Sequence, residues 1–570
     1  MKVVLFAFFL LSILPKDVFA QWKTQTVKLH SGWNAIFLEV QPEMSACEKM
    51  FSGLPVESVW AWNRKFRTIQ FVQNTSDMLP EQPEWLTWFP KGHPKEFLNN
   101  MFLLNGGKAY LIKMKDDVGE VELKIKGKVV VRKPEWYPDS FNLIGMNINA
   151  DSPPTFAEYF SGSDAHKGQP VYKLNSDGEW VEVKNLANEK IEFGKAYWVK
   201  CKGASKYPGP INVSVLGGTS VEFGKNLCVN EITVENLSSS EKTFSFKIKS
   251  SELPPASEKT NAGDVPLLYW KTDFQKQHFL WENLPSKITK KLAPGKKWTV
   301  RLMVKRNDMK QMNEGALFQN IVEIDNGAGA KISLPLTAEQ AATSDYPGGA
   351  KPFPRDGLWV GYAVLNKVSM AHGTSVPQPT SSPMSFRIIL HQNSNGVVRL
   401  LQKATVMMKR TDTTNLVVIT NDKLIPQFLS GELSENSVEG QRFSSIAFGM
   451  RSPVDMTYSK DEGKLTGDVF IGYDDPLSPF KHLYHPDLNN LKDYETKLPE
   501  GVESFDVTRK IKMIFKAEPV EGASVTSWGD TVVGGEYSEA IDGLYHKTLN
   551  VSGEFVLNQV TDAADLYTGQ

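Results

Sequence analysis

Apolar and polar positions alternate along much of this chain with the period of a half-buried β-strand. Phe244, Phe246 and Ile248 alternate with Ser245, Lys247 and Lys249, while Trp298, Val300, Leu302 and Val304 alternate with Thr299, Arg301 and Lys305. Successive side chains of a strand point to opposite faces, so each run predicts one face on a core and the other in water. Turn residues punctuate the runs. Asp177-Gly178 separates residues 171–174 from 180–183, Asn326-Gly327 separates 321–324 from 331–336, and Asn393-Ser394-Asn395-Gly396 separates 386–390 from 397–401. Each is a hairpin signal, because Asn, Asp and Gly tolerate the positive φ of tight turns. Leu549, Val551, Phe555 and Leu557 place a strand near the end of the chain, with one face apolar. Helix signals are short, near residues 44–51 and 155–160, so the expected fold class is all-β with short helices.

The chain also repeats itself. From Gly32 it reads GWNAIFLEVQPEMSACEKMFSGLPVESVWAWN, and from Ser140 SFNLIGMNINADSPPTFAEYFSGSDAHKGQPVYKLN; the copies close on GKAYLIKMK from Gly107 and GKAYWVKCK from Gly194. Asn34 matches Asn142 at an offset of 108 and Gly107 matches Gly194 at 87, so the first copy carries 21 extra residues between Phe71 and Asn105. The two copies are expected to share one fold, with the surplus bulging from the first. The GWN opening and GKAYWV-type close resemble a module of large uncharacterised exported bacterial proteins, often in tandem and followed by Ig-like domains. That resemblance covers roughly residues 27 to 202 and implies an envelope or exterior location, with no catalytic residues to carry over.

The organisation expected is a signal peptide at residues 1–20, a β-rich module with an insertion at 21–130 and a second module at 131–204. An Ig-like β-sandwich at 205–340, a linker at 341–355 and a C-terminal β-barrel or β-sandwich domain at 356–570 complete it. The leader reading rests on Lys2, the apolar residues 3 to 14 and the small-residue site Val18-Phe19-Ala20, with cleavage before Gln21. Twelve residues, apolar except for Ser12, are too few to span a bilayer and no later run is longer, so no transmembrane anchor is expected. Lys plus Arg number 64 against 65 Asp plus Glu, which supplies no footprint for nucleic acid. Cys47, Cys201 and Cys228 allow at most one disulfide, leaving hydrophobic cores to hold the protein together. Cys201 and Cys228 could pair; buried thiols are the simpler expectation.

No G-x-S-x-G elbow, phosphate loop, H-E-x-x-H or three-glycine dinucleotide turn occurs. Two positive candidates remain. Nine of the 14 tryptophans precede residue 200. Trp60 and Trp62 align with Tyr172 and Leu174 of the second copy and read as core, whereas Trp85 and Trp88 lie in PEWLTWFPKGHP, without an equivalent. They are therefore expected to be partly exposed on the insertion, where indoles could stack on a sugar or partner. The other candidate gathers Asp474, Asp475, His482, His485, Asp487 and Asp493, the donor types of a Zn, Mn or Ca site. Pro476, Pro479 and Pro486 stiffen that segment, so diverging side chains that cap turns are the simpler expectation. Sequons fall at Asn74, Asn212, Asn236 and Asn550.

The expected function is an exported, non-catalytic binding or structural protein of the bacterial envelope or exterior, with a polysaccharide or envelope protein as partner. No cofactor is expected. The competing expectation is an extracellular carbohydrate-active protein, sugar-binding or hydrolytic, with its site in the C-terminal domain or at Trp85 and Trp88.

Overall fold

A computed structural model describes residues 21–568 except 66–69, 216–217, 226, 274–277, 310–314, 341–354, 370–373, 410–411, 431–437, 446–448, 473–474, 479–505, 521–527 and 545–546. Strands account for 52% of the structure and helices for 6%, so the fold is all-β with short helices. The expected leader, most of the expected linker, and Asp474, His482, His485, Asp487 and Asp493 lie outside the described residues.

The described residues between 21 and 200 build three layers. Their strands are β1 (Trp22–Leu29), β2 (Gly32–Leu38), β3 (Val40–Pro42), β4 (Val56–Trp62), β5 (Trp85–Trp88), β6 (Lys108–Met114), β7 (Val121–Val129), β8 (Phe141–Gly145), β9 (Val171–Leu174), β10 (Trp180–Glu182) and β11 (Ala196–Lys200). One sheet has the order β1-β7-β3, the next β2-β6-β4-β5, and the third β8-β11-β9-β10. The second and third sheets have the same order once the matched openings and closes are aligned, and each carries a short helix after its first strand: α1 (Cys47–Met50) and α2 (Phe156–Tyr159). Asn34 and Asn142 perform the same task in the two sheets. Asn34 Oδ1 accepts from His30 N–H at 3.0 Å while its amide donates to His30 and Gly32 carbonyls; Asn142 Oδ1 accepts from Tyr137 N–H at 2.9 Å while its amide donates to Tyr137 and Ser140 carbonyls.

These inner strands lack alternation because both faces are covered. Ile36, Leu38, Tyr110 and Ile112 join Leu29, Leu123 and Ile125 of the outer sheet in one core. Trp33, Ala35, Trp60, Trp62, Ala109 and Leu111 face the other way, meeting Leu143, Trp180, Ala196 and Trp198 in a second. A strand buried on both faces reads as a continuous apolar run, the pattern of GWNAIFL and KAYLIKM. The far face of the third sheet, through Ile144, Phe156, Tyr197 and Val199, runs on into the core of the following domain.

That next unit is the two-sheet, Ig-like β-sandwich. Ile211–Val215, Val229–Asn236, Lys297–Val304, Leu267–Asp273 and His278–Asn283 form one sheet, and Val221–Glu222, Lys331–Glu339, Leu317–Asp325, Lys242–Ser250 and Ile288–Leu292 the other. Its core holds the expected inward residues Phe244, Phe246, Val300, Leu302 and Val304. From Gly357 eight strands close into a barrel, sealed by Gly357–Val368 pairing antiparallel with Leu549–Thr561. Phe386, Ile388, Leu465, Ile511, Val551, Phe555 and Leu557 fill the lumen, while Lys510 and Lys512 stand outside. The lumen also encloses the Arg509–Glu539 ion pair, whose carboxylate accepts from the Tyr537 hydroxyl at 2.9 Å. No helix of the described residues is long and apolar enough to cross a membrane.

Cys47, Cys201 and Cys228 are all buried and none is in a disulfide, so Cys201 and Cys228 do not pair. Burial pushes the Cys47 thiol up to about 12 and is the main cause of Cys201 rising to about 11; both stay protonated and unreactive at neutral pH.

Candidate functional site

Trp85 and Trp88 do not form an exposed platform. They are 6% and 5% exposed, on strand β5, which pairs antiparallel with β4 in the register Trp62↔Trp85 and Val59↔Trp88. Three positions apart on a strand, they face opposite sides: Trp85 meets Trp60 and Trp198 at 6.1 and 6.4 Å, and Trp88 meets Phe51 at 5.6 Å. The Pro-rich flanks suggested an insertion, but Pro83 and Pro90 bracket the strand without interrupting it, and β5 takes the place in its sheet that β10 takes in the other. The extra residues of the first copy are instead in the connections, chiefly 63–84 against 175–179. Their segment around Gln73 to Thr75 packs back on the other sheet: Thr75 N–H donates to Gly178 O at 3.0 Å and Trp180 N–H to Gln73 O at 2.9 Å, so this part of the longer connection lies on the hairpin of that sheet. Gly178 is required there twice over, by its φ of +82° and because an added Cβ would lie 2.9 Å from Thr75 Oγ1 and from Trp33 Cδ1.

Of the six metal candidates only Asp475 is among the described residues. Its carboxylate accepts from Leu477 N–H at 2.8 Å and lies 3.4 Å from Arg451, holding a turn. Among the described residues no group of three or more His, Cys, Asp or Glu is gathered for a metal. The sequon residue Asn236 is fully buried and hydrogen-bonded to Ser240 and Leu292 carbonyls.

A site that the sequence did not suggest opens between the second and third sheets. It is a cleft of about 300 Å³ with Phe37, Leu86, Met101, Ala109 and Leu143 among its apolar walls, and Arg64, Lys65, Lys108 and Arg132 as its cations. Arg64 leaves the end of β4, where Asn63 ties the chain to β5: its N–H donates to Glu84 O at 2.7 Å and its amide to Pro83 O at 2.9 Å. Lys108 starts β6, directly after Gly107, whose φ is +71° and whose added Cβ would meet the Arg132 side chain at 2.9 Å. Arg132 and Tyr137 come from the link between β7 and β8. Strand ends from both copies therefore fix the walls, and no single segment contains the site.

Its unmet polar groups are donors. Arg64 Nε and Nη2 and Trp62 Nε1 are buried with no hydrogen-bond partner among the described residues; each such group costs about 1–3 kcal/mol. Arg64 Nη1 lies 3.8 Å from Glu135, whose side chain is 88% exposed, and the guanidinium stands 5.9 Å over the Tyr137 ring. Burial lowers the Arg64 pKa, opposed by Glu135 and Tyr137, yet a guanidinium stays charged at neutral pH. Lys108 is lowered first by burial and then by the charges of Arg132 and Arg64, with Glu135 opposing. Among the described residues neither Lys108 nor Arg132 makes an ion pair. The signals in the sequence were only the pair Arg64-Lys65 where the second copy has Ser176-Asp177, and Arg132-Lys133 in the link between the copies.

No family model matches this chain, and no curated protein matches it. Among solved structures it is similar to the Salmonella enterica SafA pilin in complex with the SafB chaperone, at 12% identity over 32% of this chain and 89% of that one, with a TM-score of 0.14. The periplasmic chaperone SfaE is similar at 14% identity over 33% and 96%, TM-score 0.15. The E. coli chaperone DraB is similar at 10% identity over 33% and 89%, TM-score 0.14.

Proposed function

We propose that this chain is an exported protein of the bacterial envelope or exterior that acts by non-catalytic binding, with the cleft between the second and third sheets as its ligand site. The observation that carries this reading is the cleft itself: a ligand-sized space held by strand ends from two sheets, into whose walls several unpartnered donors are built. Sites positioned by strands are rigid before the ligand arrives, which reduces the ordering cost of binding. Export is supported by the leader-type pattern of residues 2 to 20. The two modules read as copies of one unit, and pairing them face to face turns two sheet faces into one aromatic core with a cleft at its edge. The partner is a saccharide or an envelope protein segment small enough to enter.

Leu103 provides the test, because it lines the cleft while its side chain is exposed, so Leu103→Trp obstructs the mouth without disturbing a core. Ligand-observed NMR of the purified full chain with a library of sugars and short peptides is expected to find binders that Leu103→Trp loses. A library without binders, or one whose binders all survive the obstruction, contradicts the reading.

A further inference from the structure

We infer that the cleft takes an oxyanion, the carboxylate, sulfate or phosphate group of an organic ligand, as the anchoring end of what it binds. This rests on the binding role proposed above and narrows it to a chemical class.

Three observations converge. Arg64 Nε and Nη2 form the edge of a guanidinium that grips a carboxylate side-on with two parallel hydrogen bonds, and on this edge both nitrogens are unmet. The third unmet group, Trp62 Nε1, is also a donor, so the groups lacking partners at this cleft all call for an acceptor. Lys108 and Arg132 add two further positive charges on the same lining, and among the described residues no ion pair neutralises either of them.

The one carboxylate beside Arg64 does not fill this role. Glu135 lies 3.8 Å from Nη1, beyond hydrogen-bond length, and is almost wholly in solvent. Among the described residues no hydrogen bond holds the Nε/Nη2 edge in place, and the polar contacts of the guanidinium are the loose ones with Tyr137 and Glu135. The apolar walls, among them Phe37, Leu86 and Leu143, suit the uncharged remainder of the ligand.

The equivalent groove between the same two sheets makes the point by contrast. It is lined by His30, Trp33, Lys173, Ser176, Glu192 and Lys195, among others. Ser176 stands where the aligned copy has Arg64, Glu192 stands where it has Asn105, and Lys173 is already paired with Glu189.

The experiment titrates the full chain with sodium glucuronate, inorganic sulfate, inorganic phosphate and neutral glucose, read by calorimetry at low and at high salt. At least one oxyanion is expected to bind saturably, glucose is expected to bind at least about tenfold more weakly, and the affinity is expected to fall about three- to tenfold as salt rises. Glucuronate against the inorganic ions separates a carboxylate ligand from a sulfate- or phosphate-bearing one. Arg64→Gln is expected to weaken binding about tenfold or more, and the exposed-rim variant Lys108→Gln about two- to fivefold, with thermal unfolding of both unchanged or raised. If glucose binds as well as glucuronate, is lost on Leu103→Trp and is untouched by Arg64→Gln, the cleft remains a ligand site and the oxyanion inference falls. If no probe bound by the chain is sensitive to Leu103→Trp, both fall.

Discussion

The two grooves between the second and third sheets differ more in charge than in construction. Each lies against a strand that opens on GKAY: Lys108, Ala109 and Tyr110 line one, Lys195, Ala196 and Tyr197 the other. In each, the tyrosine hydroxyl accepts a backbone N–H from the turn before the strand, Asn105 at 2.7 Å and Glu192 at 2.9 Å. One groove is about 300 Å³ and leaves three donors unmet, two of them on Arg64; the other is about 170 Å³, leaves only Trp33 Nε1 unmet among its described lining residues, and carries the carboxylate of Glu192. The fold thus supplies a groove twice, and a few side chains decide whether it becomes a site. That is also why the site was hard to see in a single sequence, since fold-bearing positions agree between the copies while site-bearing ones differ.

The largest expected effect breaks the shared core on which both grooves depend. Trp198 is fully buried and packs on Trp62 at 5.4 Å and on Phe71, stacked at 5.2 Å, linking the two sheets. Trp198→Ala is expected to cost about 3–5 kcal/mol in denaturant unfolding. A cost below 1 kcal/mol would mean that the two sheets do not depend on one core.

Acid is expected to separate the copies next. His166, in the second copy, is 1% exposed, its Nδ1 lies 2.7 Å from Ser163 Oγ, and burial pushes its pKa down to about 4. A histidine held neutral in the fold contributes stability that is fully present above its unfolded value near 6.5 and is lost as pH falls through 4. The loss is about 3 kcal/mol across that window. His166→Phe should flatten the stability profile between pH 6.5 and 4, and an unchanged slope would assign the acid sensitivity elsewhere.

The equivalence of the two sheets is sharpened by a smaller pair of effects. Asn34 and Asn142 are both buried and make matching backbone clamps, so replacing either by Ala is expected to cost about 1–3 kcal/mol, and similar amounts in each sheet. A difference larger than that range would show that the copies use the clamp differently. The smallest effect concerns the site itself. Because Arg64 leaves two buried nitrogens unmet, Arg64→Gln is expected to be neutral or to stabilise the free protein by up to about 1 kcal/mol, the sign of a residue retained for a ligand. A clear destabilisation would make Arg64 part of the scaffold.

Alternation carried the sandwich in the sequence: Phe244, Phe246, Val300 and Leu302 point inward as their spacing demanded. The hairpins at Asp177-Gly178, Asn326-Gly327 and Asn393 to Gly396 follow from turn chemistry and are present. Trp85 to Trp88 misled because a four-residue strand bracketed by Pro83 and Pro90 carries too little periodicity to tell a strand from a loop, and burial on both faces removes the alternation that would have helped. The cleft was illegible for a different reason. Arg64, Lys108 and Arg132 are brought together only by strand pairing and the link between the copies, and no spacing along the chain encodes that meeting.

The central claim is that charge decides which of the two grooves takes an anion, and ion placement tests it most directly. Crystals of the full chain soaked in sodium selenate and measured at the selenium edge are predicted to show an anomalous peak beside Arg64 and Lys108, with none in the groove lined by Ser176 and Glu192. Peaks of equal height in both grooves, or one only in the second, would contradict the account.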